Sequence, residues 1–265
     1  PVSKEKARLW YEKSAEQGNP GAQYNLAFMH KNGEGGPVSK EKARVWYEKA
    51  AEQGHLKAQY NLGVLHSNGE GGLPVSKEKA RLWYEKSAEQ GNPGAQYNLA
   101  FMHKNGEGGP VSKEKARVWF EKSAELGHPE AQFNLGVLHK NGEGGPVSKE
   151  KARLWFEKSA EQGHPMAQYN LGFMHAMGEG GLPVSKEHAF FWFTRADEQG
   201  VEQAATALEP VKSLCFSCGK TGKMKRCPQC KCAYYCSREC QAAAWKCGHK
   251  AACKQIRRKQ QQSAN

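Results

Sequence analysis

The stretch "PVSKEKARLWYEKSAEQGNPGAQYNLAFMHKNGEGG" occupies residues 1–36 and returns letter for letter at residues 74–109. Related copies begin at Pro37, Pro110 and Pro146, and a degenerate copy begins at Pro183. A spacing of 36 or 37 residues marks one supersecondary unit repeated along the chain. Such a unit is too small to bury its own apolar stripe. Stacking against its neighbours buries it, which predicts a mostly α fold, an α-solenoid of helix-turn-helix repeats.

Each copy reads as two helices. Ser3 offers an N-cap, and Glu5 in the first turn suits the positive end of the helix dipole. Ala7, Trp10, Tyr11, Ser14 and Ala15 then share one helical stripe. Gly18 suits the left-handed position after a helix, and Asn19-Pro20 makes the turn. Ala22, Leu26 and Met29 form one face of the second helix, with Tyr24 and Phe28 beside it. Asn32 to Gly36 ends the unit. Small Ala or Gly residues are expected to admit the bulky Trp of an adjacent helix. The sixth copy keeps Trp192 but places Phe190 and Phe191 where an Arg and an aliphatic residue stand elsewhere. Val201 to Leu208 reads as a closing helix, with Pro210 interrupting it and a linker near Glu209 to Ser213. The expected organisation is a solenoid at 1–211, a small module at 212–255 and a basic, polar tail at 256–265.

This pattern resembles the Sel-one-like repeat family, relatives of tetratricopeptide repeats. The resemblance is carried by the A-x-x-W-[YF]-x-x-[SA]-A-x-x-G run at Ala7 to Gly18 and by A-Q-[YF]-N-L-[AG] at Ala22 to Ala27. It implies a scaffold that holds other proteins, without chemistry of its own.

Three residue ladders run through the array. His30, His66, His103, His139 and His175 recur at one position. They simply repeat with the unit, and a spacing of about 10 Å between neighbours is too wide to share a metal ion. Asn25, Asn61, Asn98, Asn134 and Asn170 either satisfy backbone groups or grip a partner's backbone. Arg8, Arg44, Arg81, Arg117 and Arg153 each precede a Glu by four residues. Surface ion pairs are the simpler reading, and an acidic partner lying along the array the sharper one.

All nine cysteines fall between Cys215 and Cys253. The spacing is Cys215-x2-Cys218, Cys227-x2-Cys230, Cys236-x3-Cys240 and His249-x3-Cys253. Four such pairs provide donors for two tetrahedral zinc ions. Both four-apart pairs suit one face of a helix. Disulfides fit poorly, because the count is odd and one pair is completed by His. A module this short buries too little apolar surface to stand alone, so structural zinc is expected to hold it. All eight donors are protein groups, which leaves no open position for catalysis.

The segment "YYCSRECQAAAWKCGHKAAC" and the four pairs look like a MYND zinc finger. That resemblance implies interleaved sites: Cys215, Cys218, Cys236 and Cys240 on one zinc, and Cys227, Cys230, His249 and Cys253 on the other. Cys232 and Cys247 are then spare, although Cys232 competes with Cys230 and Cys247 with Cys253 for ligation. A RING finger also interleaves its zincs but carries its Cys-His pair in the middle. The family binds proline-rich peptides through a Gln and a Trp, which fall on Gln241 and Trp245. For Trp245 a place in the core over the zinc site is an equally simple role.

The net charge of +12 belongs to the tail. Residues 211–265 hold thirteen Lys or Arg and one acid, Glu239, leaving 26 bases and 26 acids before them. A solvated basic face is the simple reading, and phosphate contact the other. No apolar run reaches the length of a membrane span, and no secretory signal is present. The chain begins at Pro1 rather than Met and reads as a fragment. No Ser-His-Asp arrangement, P-loop or dinucleotide motif appears, and the array leaves no room for a methyltransferase's catalytic domain. The expectation is therefore a non-enzymatic adaptor in the cytoplasm or nucleus, whose partners are proteins that include proline-rich segments. A nucleic-acid-associated regulator, or a regulatory fragment of a larger enzyme such as a methyltransferase, are the alternatives.

Overall fold

The computed structural model describes residues 3–212, 225–229, 232–235, 237–245 and 249–262. Ten helices of the array alternate as first and second helix of each unit: α1 (Lys4–Glu16), α2 (Pro20–Asn32), α3 (Lys40–Glu52), α4 (Leu56–Asn68), α5 (Lys77–Glu89), α6 (Pro93–Asn105), α7 (Lys113–Glu125), α8 (Pro129–Asn141), α9 (Lys149–Glu161) and α10 (Pro165–Met177). Then come α11 (Lys186–Asp197), α12 (Glu202–Lys212), the strands β1 (Lys225–Arg226) and β2 (Tyr234–Tyr235), α13 (Arg238–Ala244) and α14 (Lys250–Gln262).

The caps set these boundaries. Ser3, Ser39, Ser76, Ser112, Ser148 and Ser185 each accept from a backbone N–H three residues on, so every first helix starts at the same place. Each such cap is worth about 1 kcal/mol. The second helices start on Asn19 and Asn92, or on His55 and His164, whose Nδ1 accepts in the same way. In that tautomer the histidine imitates an asparagine. Gly33 ends α2 in the left-handed region at φ 71°, and Gly35 (φ 68°) follows it. A Cβ on Gly35 would lie 2.5 Å from the Lys4 carbonyl oxygen, so the loop can pass over the start of α1 only without a side chain.

The chain divides into two compact units, one of residues 1–131 with 143–145, the other of 132–142 with 146–265. In the first, Ala43, Tyr47, Ala50 and Ala51 of α3 bury against Ala58, Leu62 and Leu65 of α4. Gly63 lies under the ring of Tyr84, where a Cβ would come within 2.7 Å. This refines the expected packing: Gly63 admits the aromatic after the Trp, while Trp46 packs half-buried against Ala15, Ala22 and Leu26 of the preceding unit. The stripe is centred on positions 7, 11, 14 and 15, which leaves the Trp at its margin. Trp46, Trp83 and Trp119 are half-buried, each covered by the ammonium of Lys49, Lys86 or Lys122 at 4.2–4.4 Å.

The second unit repeats the scheme with Gly136 under Phe156 and Gly172 under Phe193. Its core continues beyond the array. Phe190, Phe191, Trp192 and Phe193 of α11 bury in one cluster with Leu208, Cys227, Tyr234, Tyr235, Cys253 and Ile256. The closing helix expected at Val201 to Leu208 is α12, but it continues through Lys212, so Pro210 does not stop it where expected. A proline this close to a helix end forfeits one backbone bond rather than a run of them.

Candidate metal centre and docking face

The ladders resolve within the array. Arg8 donates from Nη2 to Nδ1 of His30 at 2.7 Å, and Arg81 to His103 at 3.0 Å. A guanidinium only donates, so Nδ1 is the unprotonated nitrogen. Burial and the facing Arg81 and Lys115 push His103 down to about 4, and burial and Arg8 lower His30. Arg44, Arg81 and Arg153 also meet Glu48, Glu85 and Glu157 at 3.5–3.8 Å, as the spacing predicts. Asn61 and Asn170 bond their own helices, through Lys57 O and Met166 O. Sequence reading missed a fourth ladder. Lys4, Lys40, Lys77, Lys113 and Lys149 pair with the loop glutamates Glu34, Glu70, Glu107, Glu143 and Glu179 at 2.7–3.2 Å.

The metal centre is assembled by short elements. β1 and β2 pair antiparallel with Lys225 opposite Tyr235 and Arg226 opposite Tyr234. Cys227 follows β1, and its N–H donates to the Ala233 carbonyl at 2.8 Å. His249 immediately precedes α14, and Cys253 lies one turn inside it. The ligand atoms of Cys227, His249 and Cys253 lie within 4.8 Å of one another, and all three residues are buried. Donors around a tetrahedral zinc sit about 3.3–3.8 Å apart, so a small closure fits these three to one ion. Two thiols and an imidazole are the soft donor set that zinc takes. Cys230, expected as the fourth ligand, lies outside the described residues.

Of the other expected set only Cys240 is described; Cys215, Cys218 and Cys236 are not. Cys240 sits on α13, which starts at Arg238 behind the cap Ser237. Cys236 lies outside the described residues, and with it the expectation that the pair shares one helical face. Cys247 is also outside the described residues. Cys232 is buried, and burial pushes its thiol up to about 12. It does not belong to the cluster of Cys227, His249 and Cys253.

A residue of the array completes this centre. Oε1 of Glu187, in the first turn of α11, lies 3.6 Å from Nδ1 of His249. Burial opposes ionisation of Glu187, yet the facing His249 holds its carboxyl below the usual range. Burial works against the His249 charge as well, but Glu187 and Cys227 raise it. A carboxylate behind a metal-binding imidazole fixes ring orientation and strengthens the donor. Glu187 was invisible to sequence reading because every first helix carries a Glu at that position.

Further contacts seat the segment. Phe190 meets Tyr234 edge-on at 5.1 Å, Nε2 of His188 lies 3.1 Å from Oε1 of Gln255, and Lys259 reaches Glu161. The degenerate sixth copy is thus a seat: Phe190 replaces a polar Arg where Tyr234 must pack. Trp245 stands edge-on to His249 at 5.6 Å. It also borders an open cavity of about 460 Å³ with Pro228, Gln241 and Ala242.

The Sel1 repeat pattern matches residues 1–19, 20–55, 56–92, 93–128, 129–164 and 165–201. The chain belongs to the Sel1 repeat family. That pattern counts its unit from the second helix, so α2 and α3 form one Sel1 repeat. The MYND finger matches residues 215–253, so the metal centre described above belongs to a MYND finger. A protective antigen of uropathogenic Escherichia coli strains displaying an SLR fold is 35% identical, with a TM-score of 0.75 over 83% of this chain. This chain covers 46% of that protein's length. A Sel1 repeat protein from Oxalobacter formigenes is 27% identical, with a TM-score of 0.67, over 78% of this chain and 87% of its own. No curated protein matches the chain. The Sel1 repeat chain therefore joins two kinds of protein-interaction module.

Proposed function

We propose that the chain is a non-enzymatic adaptor. The Sel1 array holds one protein partner, and the MYND finger captures a proline-rich segment of a second. The observation that carries this reading is Trp245, which backs onto the metal-ligand cluster through His249 while bordering the cavity it shares with Gln241. An indole plane beside an amide donor suits a polyproline helix, which is preformed and loses little entropy on docking.

Two structural zinc ions support that surface. Cys227, Cys230, His249 and Cys253 would hold one, and Cys215, Cys218, Cys236 and Cys240 the other. With four protein donors each, the metal's contribution is folding free energy, about 10–16 kcal/mol apparent in finger peptides. Keeping eight donors reduced calls for an intracellular compartment.

The test is an array of proline-rich peptides probed with the intact zinc-loaded chain and with Gln241→Ala/Trp245→Ala. Binding of a subset by the first and its loss in the second is the expected result. Equal capture by both would overturn the peptide-docking role.

A further inference from the structure

The face of α14 beside Trp245 carries charge that the fold does not use. Lys250, Lys254, Arg257 and Arg258 recur at helical spacing, and with Trp245 they line a second open cavity of about 390 Å³. All four are exposed, and among the described residues no carboxylate pairs with any of them. Two other cations of the segment are engaged: Lys259 reaches Glu161, and Arg226 donates to the Tyr234 hydroxyl. Cys253 and Ile256 turn a different face of α14 into the core. Trp245 is the wall between this basic cavity and the apolar one at Gln241 and Ala242.

We propose that the MYND finger's peptide is bipartite, a proline-rich core on the Gln241 side of Trp245 and an acidic flank along Lys250, Lys254, Arg257 and Arg258. This rests on the peptide-docking reading above and adds the class of segment selected. Four unpaired cations on one rigid helical face repel one another, and a run of glutamates or aspartates in an extended peptide relieves that repulsion. A nucleic acid would also meet the charge, but the apolar cavity immediately across Trp245 favours a chain that changes from apolar to acidic along its length.

The experiment uses the intact zinc-loaded chain and fluorescence anisotropy. The probes are an oligoproline peptide flanked by glutamates, the same peptide flanked by glutamines, and a duplex DNA of matched charge. The glutamate peptide is expected to bind about tenfold more tightly than the glutamine peptide at low salt, from several surface pairs acting together. The difference is expected to shrink as salt rises and to vanish in Arg257→Glu/Arg258→Glu. Equal affinity for both peptides, with Trp245→Ala abolishing both, overturns the acidic flank and leaves the docking reading standing. If neither peptide binds, the docking reading fails and this inference with it. If the duplex binds more tightly than the glutamate peptide, the basic face belongs to nucleic acid and the proposal is overturned.

Discussion

Nε2 of Gln53 donates to Oε1 of Gln23 at 2.7 Å, tying the end of α3 to the start of α2. Gln23 in turn donates to the Ala15 carbonyl, so one buried amide bridges three helices. Gln90 with Gln59, Gln162 with Gln132 and Gln199 with Gln168 repeat the bond, each at 2.7 Å. The ladder has one gap. Leu126 stands where the donor belongs, and Oε1 of Gln96 is buried without a partner.

Leu126→Gln is therefore expected to stabilise the protein by about 1 kcal/mol, since the new amide restores a bond to a desolvated acceptor. The leucine gives up little, being 57% exposed. Gln53→Leu recreates the gap and should cost about 1–3 kcal/mol. Urea unfolding of both variants checks this. Two unchanged midpoints would mean the ladder is geometric coincidence.

Stability should fall as the solution is acidified. His30, His66 and His103 have folded pKa values below 6.5, chiefly through burial. For a base whose folded value is depressed, the unfolded chain binds more protons, so stability is full above pH 6.5 and drains as pH falls. For His103 the window runs down to about 4, at up to about 1.4 kcal/mol per pH unit. Thermal melts across that range are expected to show a falling midpoint, and His103→Gln should flatten the slope. A midpoint that rises on acidification would contradict the neutral, arginine-bonded imidazole.

Glu187→Gln removes the charge behind His249 while keeping its shape. Zinc affinity, read by competition with a chromophoric chelator, is expected to fall about 10–100-fold. The array's helical signal should stay the same. Unaltered affinity would show that the 3.6 Å approach does not orient the ligand.

Phe190→Arg restores the residue that the other copies carry at this position. An array alone would accept it, but here the arginine enters the buried cluster with Tyr234 and should cost about 3 kcal/mol or more. Hydrogen exchange should rise across Lys250–Gln262 and stay constant across Lys4–Asn105. Exchange unchanged in α14 would show that the α11 face is not the finger's seat.

The array was legible because its signals are local. Ser caps, glycine stops and a stripe of period 3.6 depend on near neighbours, and six copies average away exceptions. Which aromatic buries fully was not legible, because Trp10 and Tyr11 are adjacent on the stripe and only the packed neighbour separates them. The metal cluster was readable as donors, since cysteine spacing speaks directly of ligation. Its outer partner was not, for Glu187 is chemically identical to Glu5 and acquires a role only where α14 lies against α11. Phe190 and Phe191 could have signalled that contact: two adjacent aromatics where the other copies carry an Arg and an aliphatic residue need something apolar to cover them.

The whole account turns on metal holding the finger in shape. Native mass spectrometry of the intact chain measures this most directly. It should find two zinc ions per polypeptide, free thiols throughout, and one ion lost in Cys227→Ala. A chain that carries no zinc, or cysteines joined as disulfides, would contradict it.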